Sequence, residues 1–211
     1  MMGSIYFVLG VFIFLVTVTL HEYCHGFLAD KLGDPTARDA GRLTLNPLRH
    51  IDPFWTVLFP VLLFISTSGQ FVMGMARPVP VNFMNLRNPR RDMIWVAVAG
   101  PLANFLLAGV LAFLFRVAGT YGHLTLQTFL LYAVYFNLGL AIFNLIPIPP
   151  LDGSRIVTGL LPFSLATRYL LLEPFGFLIV LLFYFTGLLH ALVLPGIRFF
   201  CKILGVPILN F

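Results

Sequence analysis

Residues 4–25 read SIYFVLGVFIFLVTVTLHEYCH, an apolar run with no charged side chain before it meets His21-Glu22-Tyr23-Cys24-His25. On a helix the two histidines are four positions apart and share one face. Both imidazoles can therefore reach a single metal ion while Glu22 sits beside it, the H-E-x-x-H pattern of zinc hydrolases. Ionisable groups at the end of an apolar helix cost about 3 kcal/mol each if they face lipid, so they need partners or a wet cavity. A metal ion is one such partner; a histidine pair that packs or snorkels at a helix end is the plainer alternative.

Working outward, composition places the run in a membrane. Hydrophobic residues make up 59% of the 211 positions and charged residues 10%, and mean hydropathy is strongly positive. A water-soluble fold of this size would leave too much apolar surface exposed. The expected fold class is an all-α polytopic membrane protein with four to five transmembrane helices, a re-entrant segment, and a short membrane-associated β-hairpin or edge strands. One domain is expected over 1–211, with a core at 4–161 and C-terminal helices at 168–205, and no room for an inserted soluble domain of ordinary size. The net charge of +5 comes from Arg-rich loops between apolar segments, as positive-inside orientation produces, and is not a nucleic-acid footprint. Cys24 and Cys201 lie in apolar surroundings and suggest no disulfide framework. No Lys or Arg precedes His21 and no cleavage signature follows the run, so the segment is expected to remain as an anchor.

Taken in order, the first helix is expected over 4–32, with Gly33 at its C-cap and Pro35 preventing continuation. Residues 41–47 show a short alternating pattern that reads as one arm of a hairpin. The apolar stretch 54–65 contains Pro60 and is shorter than the roughly 20 residues a crossing requires, so it is expected to be re-entrant or interfacial. Residues 76–82 alternate valine with proline, which cannot donate to a ladder, and read as an edge strand or extended loop. Spans are expected at 93–115, 125–146 and 168–189, the middle one ended by Pro147, Pro149 and Pro150. The tail, 195–211, carries Arg198 and Lys202 among apolar residues and reads as interfacial.

A second chemical stretch runs from Asn144 through Pro147, Pro149 and Pro150 to Leu151-Asp152-Gly153. The prolines keep the backbone extended, and the turn at Asp152-Gly153 points a carboxylate from just beyond a membrane helix. Two histidines and this carboxylate would complete the three protein ligands of a catalytic zinc, leaving a fourth position for water. Without His21 and His25, Asp152 would read first as the cap of a helix beginning at Gly153, a common duty for Asp.

With both stretches in hand, the chain resembles the site-2 protease family of intramembrane zinc metalloproteases, peptidase M50, in the short form without a PDZ domain. His21-Glu22-Tyr23-Cys24-His25 fits the family's first motif. Asn144, Pro147, Leu151, Asp152 and Gly153 fit the second, and 99–104, Ala-Gly-Pro-Leu-Ala-Asn, resembles a third. The resemblance covers 4–189. It implies that His21, His25 and Asp152 hold one zinc ion per chain and that Glu22 activates the water as general base. It further implies that Asn144 and Asn104 hold or polarise the substrate backbone; a helix–helix hydrogen bond explains Asn104 as well. Tyr23-Cys24 departs from relatives that carry a small residue before the second histidine. Cys24 as a fourth ligand would have to reach round from another helix face, so it is read as packing.

The function implied is hydrolysis of peptide bonds in or near transmembrane segments, with a transmembrane protein as substrate and the lipid bilayer as surroundings. The alternative is a catalytically silent zinc-binding relative acting as a scaffold, against which Glu22 speaks, because a structural site needs no adjacent carboxylate. Val79 and Val81, within 78–82, are expected to pair with an unwound substrate by strand addition, or else that stretch and 42–45 only plug the cavity. His21, His25, Asn104 and Asp152 meet at one depth only if the first and fourth apolar segments run toward the same membrane face and 93–115 runs away from it. That topology gathers Lys31, Arg38, Arg42, Arg49, Arg77, Arg87, Arg90, Arg91, Arg155 and Arg168 on one face and leaves Arg116, Arg198 and Lys202 elsewhere. The rich face is then cytoplasmic, in a prokaryotic cell membrane.

Overall fold

The computed structural model describes residues 2–66, 74 and 76–209, with side chains from Leu9 onward. Helix α1 (Met2–Lys31) carries the first motif and ends where Gly33 takes a positive φ of 115°, a conformation that costs glycine little. The short helix α2 (Thr36–Asp39) follows, and after a 3₁₀ turn at Pro47–Arg49 comes a π-helical turn at Pro53–Leu58 that runs into α3 (Phe59–Ser66). Then come α4 (Pro89–Thr120), α5 (Leu124–Asn144), α6 (Asp152–Leu160), α7 (Phe163–Leu170), α8 (Gly176–Phe185) and α9 (Leu188–Leu204). Among the described residues, four stretches are long and apolar enough to cross a membrane: Leu9–Lys31, Pro89–Thr120, Leu124–Asn144 and Phe163–Phe185.

Helix α4 is the axis of the bundle, packing on α1, α5, α6 and α9. Every fourth residue from Val96, namely Gly100, Asn104, Ala108 and Ala112, is buried. Small residues at this spacing let backbones approach closely, which drives helix association where lipid removes the hydrophobic incentive. The opposite face shows Trp95, Leu102, Leu106, Val110 and Phe113, the apolar exterior expected of a lipid-facing surface. Ala108 and Ala112 join Val134 and Leu138 of α5 and Ile197 and Cys201 of α9 in the largest core cluster.

The end of α1, the start of α4 and the end of α5 share one end of the bundle, tied by the bond from the Arg87 amide to the Leu32 carbonyl (3.0 Å). Asp34 is fully buried there and accepts from the amides of Thr36 (3.2 Å) and Asn82 (2.7 Å), from Asn85 Nδ2 (2.9 Å) and from the Thr36 hydroxyl. Burial alone would raise its pKa, yet these donors hold the Asp34 carboxyl below its ordinary value. Arg116, at the other end of α4, bonds the Leu204 carbonyl at the end of α9.

Two expectations are corrected. Among the described residues there is no strand: 41–47 folds back on α2, with the amides of Arg42 and Leu43 both donating to the Ala37 carbonyl. Segment 76–82 is extended but belongs to no ladder. The reason is local. Asn46, Asp52 and Asn82 accept bonds from amides two or three residues ahead, and Pro follows the first two, so each starts a helical turn. The re-entrant segment is not seen either; residues 53–66 form a short helix, and the polar break at 67–69 lies outside the described residues. Over 188–204 the tail forms α9, whose Ile197 and Cys201 pack into the core. The span expected at 168–189 is interrupted by a 3₁₀ turn at Glu173–Phe175, where Pro174 lacks the amide that a continuous helix needs.

Candidate metal centre

His21 and His25 lie one turn apart on α1 and are 4% and 8% exposed. Asp152, the first residue of α6, points its Oδ2 at both, 3.1 Å from His21 Nε2 and 3.2 Å from His25 Nε2; the two Nε2 atoms are 3.0 Å apart. A tetrahedral zinc ion with bonds of 2.0–2.1 Å separates its ligand atoms by about 3.3 Å, so the triangle has nearly the dimensions of three zinc ligands.

Hydrogen bonding on the far side of each ring explains why the three atoms converge. His21 Nδ1 donates to Asn104 Oδ1 (2.6 Å) and His25 Nδ1 donates to the Val96 carbonyl (2.7 Å). A carbonyl can only accept, so His25 carries its proton on Nδ1. Asn104 is held in the accepting orientation because its Nδ2 donates to Asn137 Oδ1 (3.0 Å) and the Thr17 carbonyl (3.5 Å). Both neutral rings therefore turn an Nε2 lone pair toward the same point, where a carboxylate oxygen also arrives. Three buried electron pairs facing one another call for a cation between them, and two imidazoles with one carboxylate form a zinc donor set.

Gly100 makes room for this arrangement. A Cβ there would fall on His25 Nε2 and within 2.7 Å of His21 Nε2. Asp152 is placed by the turn that follows it: a Cβ at Gly153 would collide with the Leu145 carbonyl and lie 2.6 Å from the Ile146 carbonyl. Helix α6 is fixed on α4 by Arg90, whose Nε donates to the Gly159 carbonyl (3.0 Å) and whose Nη2 bonds the carbonyls of Leu160 and Leu161. Helix α6 begins at Asp152 itself with Leu151 in the N-cap position, so Asp152 is not the cap residue.

The other residues singled out in the sequence divide. Glu22 is half-buried beside the triad, and its Oε2 accepts from the Val79 amide at 2.8 Å. Asn104 is fully buried, with its side-chain oxygen bonded to His21 of α1 and its Nδ2 to Asn137 of α5 and the Thr17 carbonyl. Asn144 turns its Nδ2 to the Leu140 carbonyl of its own helix (3.0 Å). Val81 packs with Ala29, Leu86, Met93 and Val96. Cys24 lies outside the group of ligand atoms.

Sequence reasoning missed Asn137, whose Nδ2 reaches Thr17 Oγ1 (3.0 Å) and the Ala133 carbonyl (2.9 Å), completing a buried polar chain from His21 across three helices. An asparagine inside an apolar helix was the available signal.

Comparison with known proteins agrees with this geometry. The sequence profile described as Peptidase family M50 matches residues 9–183. The Bacillus subtilis protein named "Putative zinc metalloprotease YwhC" is 39% identical over 181 residues, covering 82% of this chain and 78% of the relative. "Putative zinc metalloprotease Rip2" of Mycolicibacterium smegmatis is 30% identical over 202 residues, covering 93% and 76%. No solved structure gives a significant match. A family profile spanning most of the chain, two metalloprotease-named relatives and a His-His-Asp donor set among apolar helices lead to one conclusion: the chain belongs to peptidase family M50, the site-2 protease family of membrane zinc metalloproteases.

Proposed function

We propose that this protein hydrolyses peptide bonds in or beside transmembrane segments of other membrane proteins, with Glu22 as general base at a zinc site formed by His21, His25 and Asp152. The observation that carries the proposal is the convergence of two imidazole lone pairs and a carboxylate oxygen within 3.0–3.2 Å, with Glu22 next to a ligand and apolar helices all round. Zinc, when bound, supplies a charge that lowers the pKa of water to about 7 and polarises a peptide carbonyl. Glu22 accepts the proton of the attacking water and passes it to the departing amine. Asp152 and the two imidazoles keep their positions throughout, because Asn104, Val96 and the Gly153 turn hold them.

His25 and His21 precede Lys31 by six and ten residues, about 9 and 15 Å along a helix. The site thus lies within the bilayer, nearer the arginine-rich end of the bundle. The positive-inside rule makes that end cytoplasmic, in the cell membrane of a prokaryote. The substrate is a membrane-spanning protein whose helix unwinds to offer an extended peptide.

The test is to compare wild type with Glu22→Gln, assaying bound zinc together with cleavage of a panel of tagged single-span proteins. One zinc per chain in both, with product from wild type alone, is the expected result. Equal cleavage by both would remove Glu22 from the mechanism. Wild type that binds zinc, cleaves nothing and ignores a peptide hydroxamate would refute the peptidase assignment in favour of a silent zinc-binding relative.

A further inference from the structure

Four groups converge on the backbone of segment 76–82, from four different parts of the chain. The Arg77 amide donates to the His50 carbonyl (2.9 Å). Arg42, only 9% exposed, donates from Nη2 to the carbonyls of Arg77 (2.8 Å) and Pro78 (3.3 Å). The Val79 amide donates to Glu22 Oε2 (2.8 Å), and the Asn82 amide donates to Asp34 (2.7 Å). The Val79 side chain, 7% exposed, sits in the notch left by Gly26, the residue after His25; a Cβ at Gly26 would lie 2.8 Å from Val79 Cγ1. Pro78 and Pro80 have no amide hydrogen and preset their own φ, so the stretch is stiff and Val79 offers the one donor between them.

We infer that the backbone amide of Val79 is a positioning group for Glu22, and that Arg42 and the flanking prolines are the clamp that holds it there. The reason is geometric. Glu22 is a long, half-buried side chain, and an unheld carboxylate would distribute over several rotamers. A hydrogen bond from a rigid amide to a charged oxygen is short and directional. It engages Oε2 and leaves Oε1 for proton transfer. Val79 therefore acts through Glu22 and is not open to a substrate strand: its donor is used, and the residues on either side of it have none. This inference rests on the peptidase reading for its kinetic arm only; the contact itself is testable without a substrate.

The first arm is hydrogen–deuterium exchange of the zinc-loaded, full-length protein, followed in overlapping peptides that isolate residue 79. In wild type this amide exchanges slowly, and in Glu22→Ala it exchanges at least about tenfold faster while the Asn82 amide, bonded to Asp34, does not change. Unchanged exchange at 79 would overturn the inference whether or not any substrate is cleaved.

The second arm compares Val79→Pro, which removes the donor, with Val79→Ala, which keeps it and loses packing. With zinc content still one per chain, kcat in the proline variant is expected about 100-fold below wild type, and at least about tenfold below the alanine variant, with KM little changed. Equal losses in the two variants would make Val79 a packing residue. A gain of activity in Val79→Pro would make segment 76–82 an inhibitory plug. If Val79→Pro fails to bind zinc, Gly26→Ala replaces it: a methyl there pushes Val79 off its seat without touching Glu22, and it should lower kcat and speed exchange at 79 together.

Discussion

Two polar regions share helix α1 and are built in opposite ways. The metal centre lies on regular helices: His21 and His25 one turn apart, Val96, Gly100 and Asn104 one turn apart on α4, and Asn137 on α5. The layer beneath it, residues 33–52 and 76–88, has little regular structure and is held by side chains bonding to distant backbone, with Asp34 and Arg42 as its two hubs. In the first region, helical geometry puts each group in place and the polar atoms are satisfied in sequence from one helix to the next. In the second, no backbone ladder exists, so side chains must supply the partners that secondary structure does not. A helix-borne site is rigid because whole helices would have to move to disturb it, whereas the loop layer depends on a few charged hydrogen bonds.

The comparison predicts that the largest effects come from spoiling helix approach at the centre. Gly100→Ala should reduce zinc affinity at least about 100-fold, because the methyl group occupies the space where the two imidazoles meet. Competitive chelator titration measures this, and near-normal affinity would mean that α1 and α4 can separate, contrary to the rigid picture. Asn104→Leu follows, with about a 10- to 100-fold loss, since His21 loses the acceptor that sets its tautomer. Asn137→Leu should lose less, and in a double variant with Asn104→Leu it should add almost nothing, because it acts through Asn104. Full additivity would dissolve the chain into independent contacts.

The loop layer is expected to respond more weakly and with a pH dependence. Asp34→Ala should cost about 2 kcal/mol of stability at neutral pH, by removing a buried acceptor of charged hydrogen bonds. The folded carboxyl has a lowered pKa. Its contribution is therefore complete above the unfolded value near 4 and fades as pH falls through the lower folded value. Thermal unfolding in detergent should show the gap between wild type and Asp34→Ala closing only below about pH 4. A gap that closed at higher pH would show that Asp34 is not held by donors in the manner described.

The same contrast explains what could be read in advance. Three of the four candidate spans follow directly from long apolar runs ended by Gly33, by Arg116 and the glycine-bearing loop after it, and by the prolines after Asn144. His21 and His25 were legible because a helix brings positions i and i+4 together whatever surrounds it. Asp152 was legible through its Asp-Gly turn, although the choice between ligand and cap needed the fold. The hairpin reading at 41–47 fails because the Asn46-Pro47 pair begins a helical turn there, while at 76–82 the extended-loop alternative holds and only the edge strand fails, since Pro78 and Pro80 offer no amide to a ladder. For Asn104 the sequence leaves a substrate contact and a helix–helix hydrogen bond side by side, because nothing local shows that both ends of its side chain bond to other helices.

Sequence alone determined the membrane class, the helical periodicity and the donor types at His21, His25 and Asp152, since these depend on hydropathy and on spacing within single segments. The tertiary structure decided the rest. It set which nitrogen of each histidine faces the centre, gave Gly100 its role as the space between two rings, joined Asn137 of α5 to His21 through Asn104, and seated the Val79 amide on Glu22. Each of these is a contact between residues separated by many tens of positions, and such contacts exist only once the helices have packed: spacing along a chain sets direction within one element, while distance between elements is set by how closely their surfaces fit.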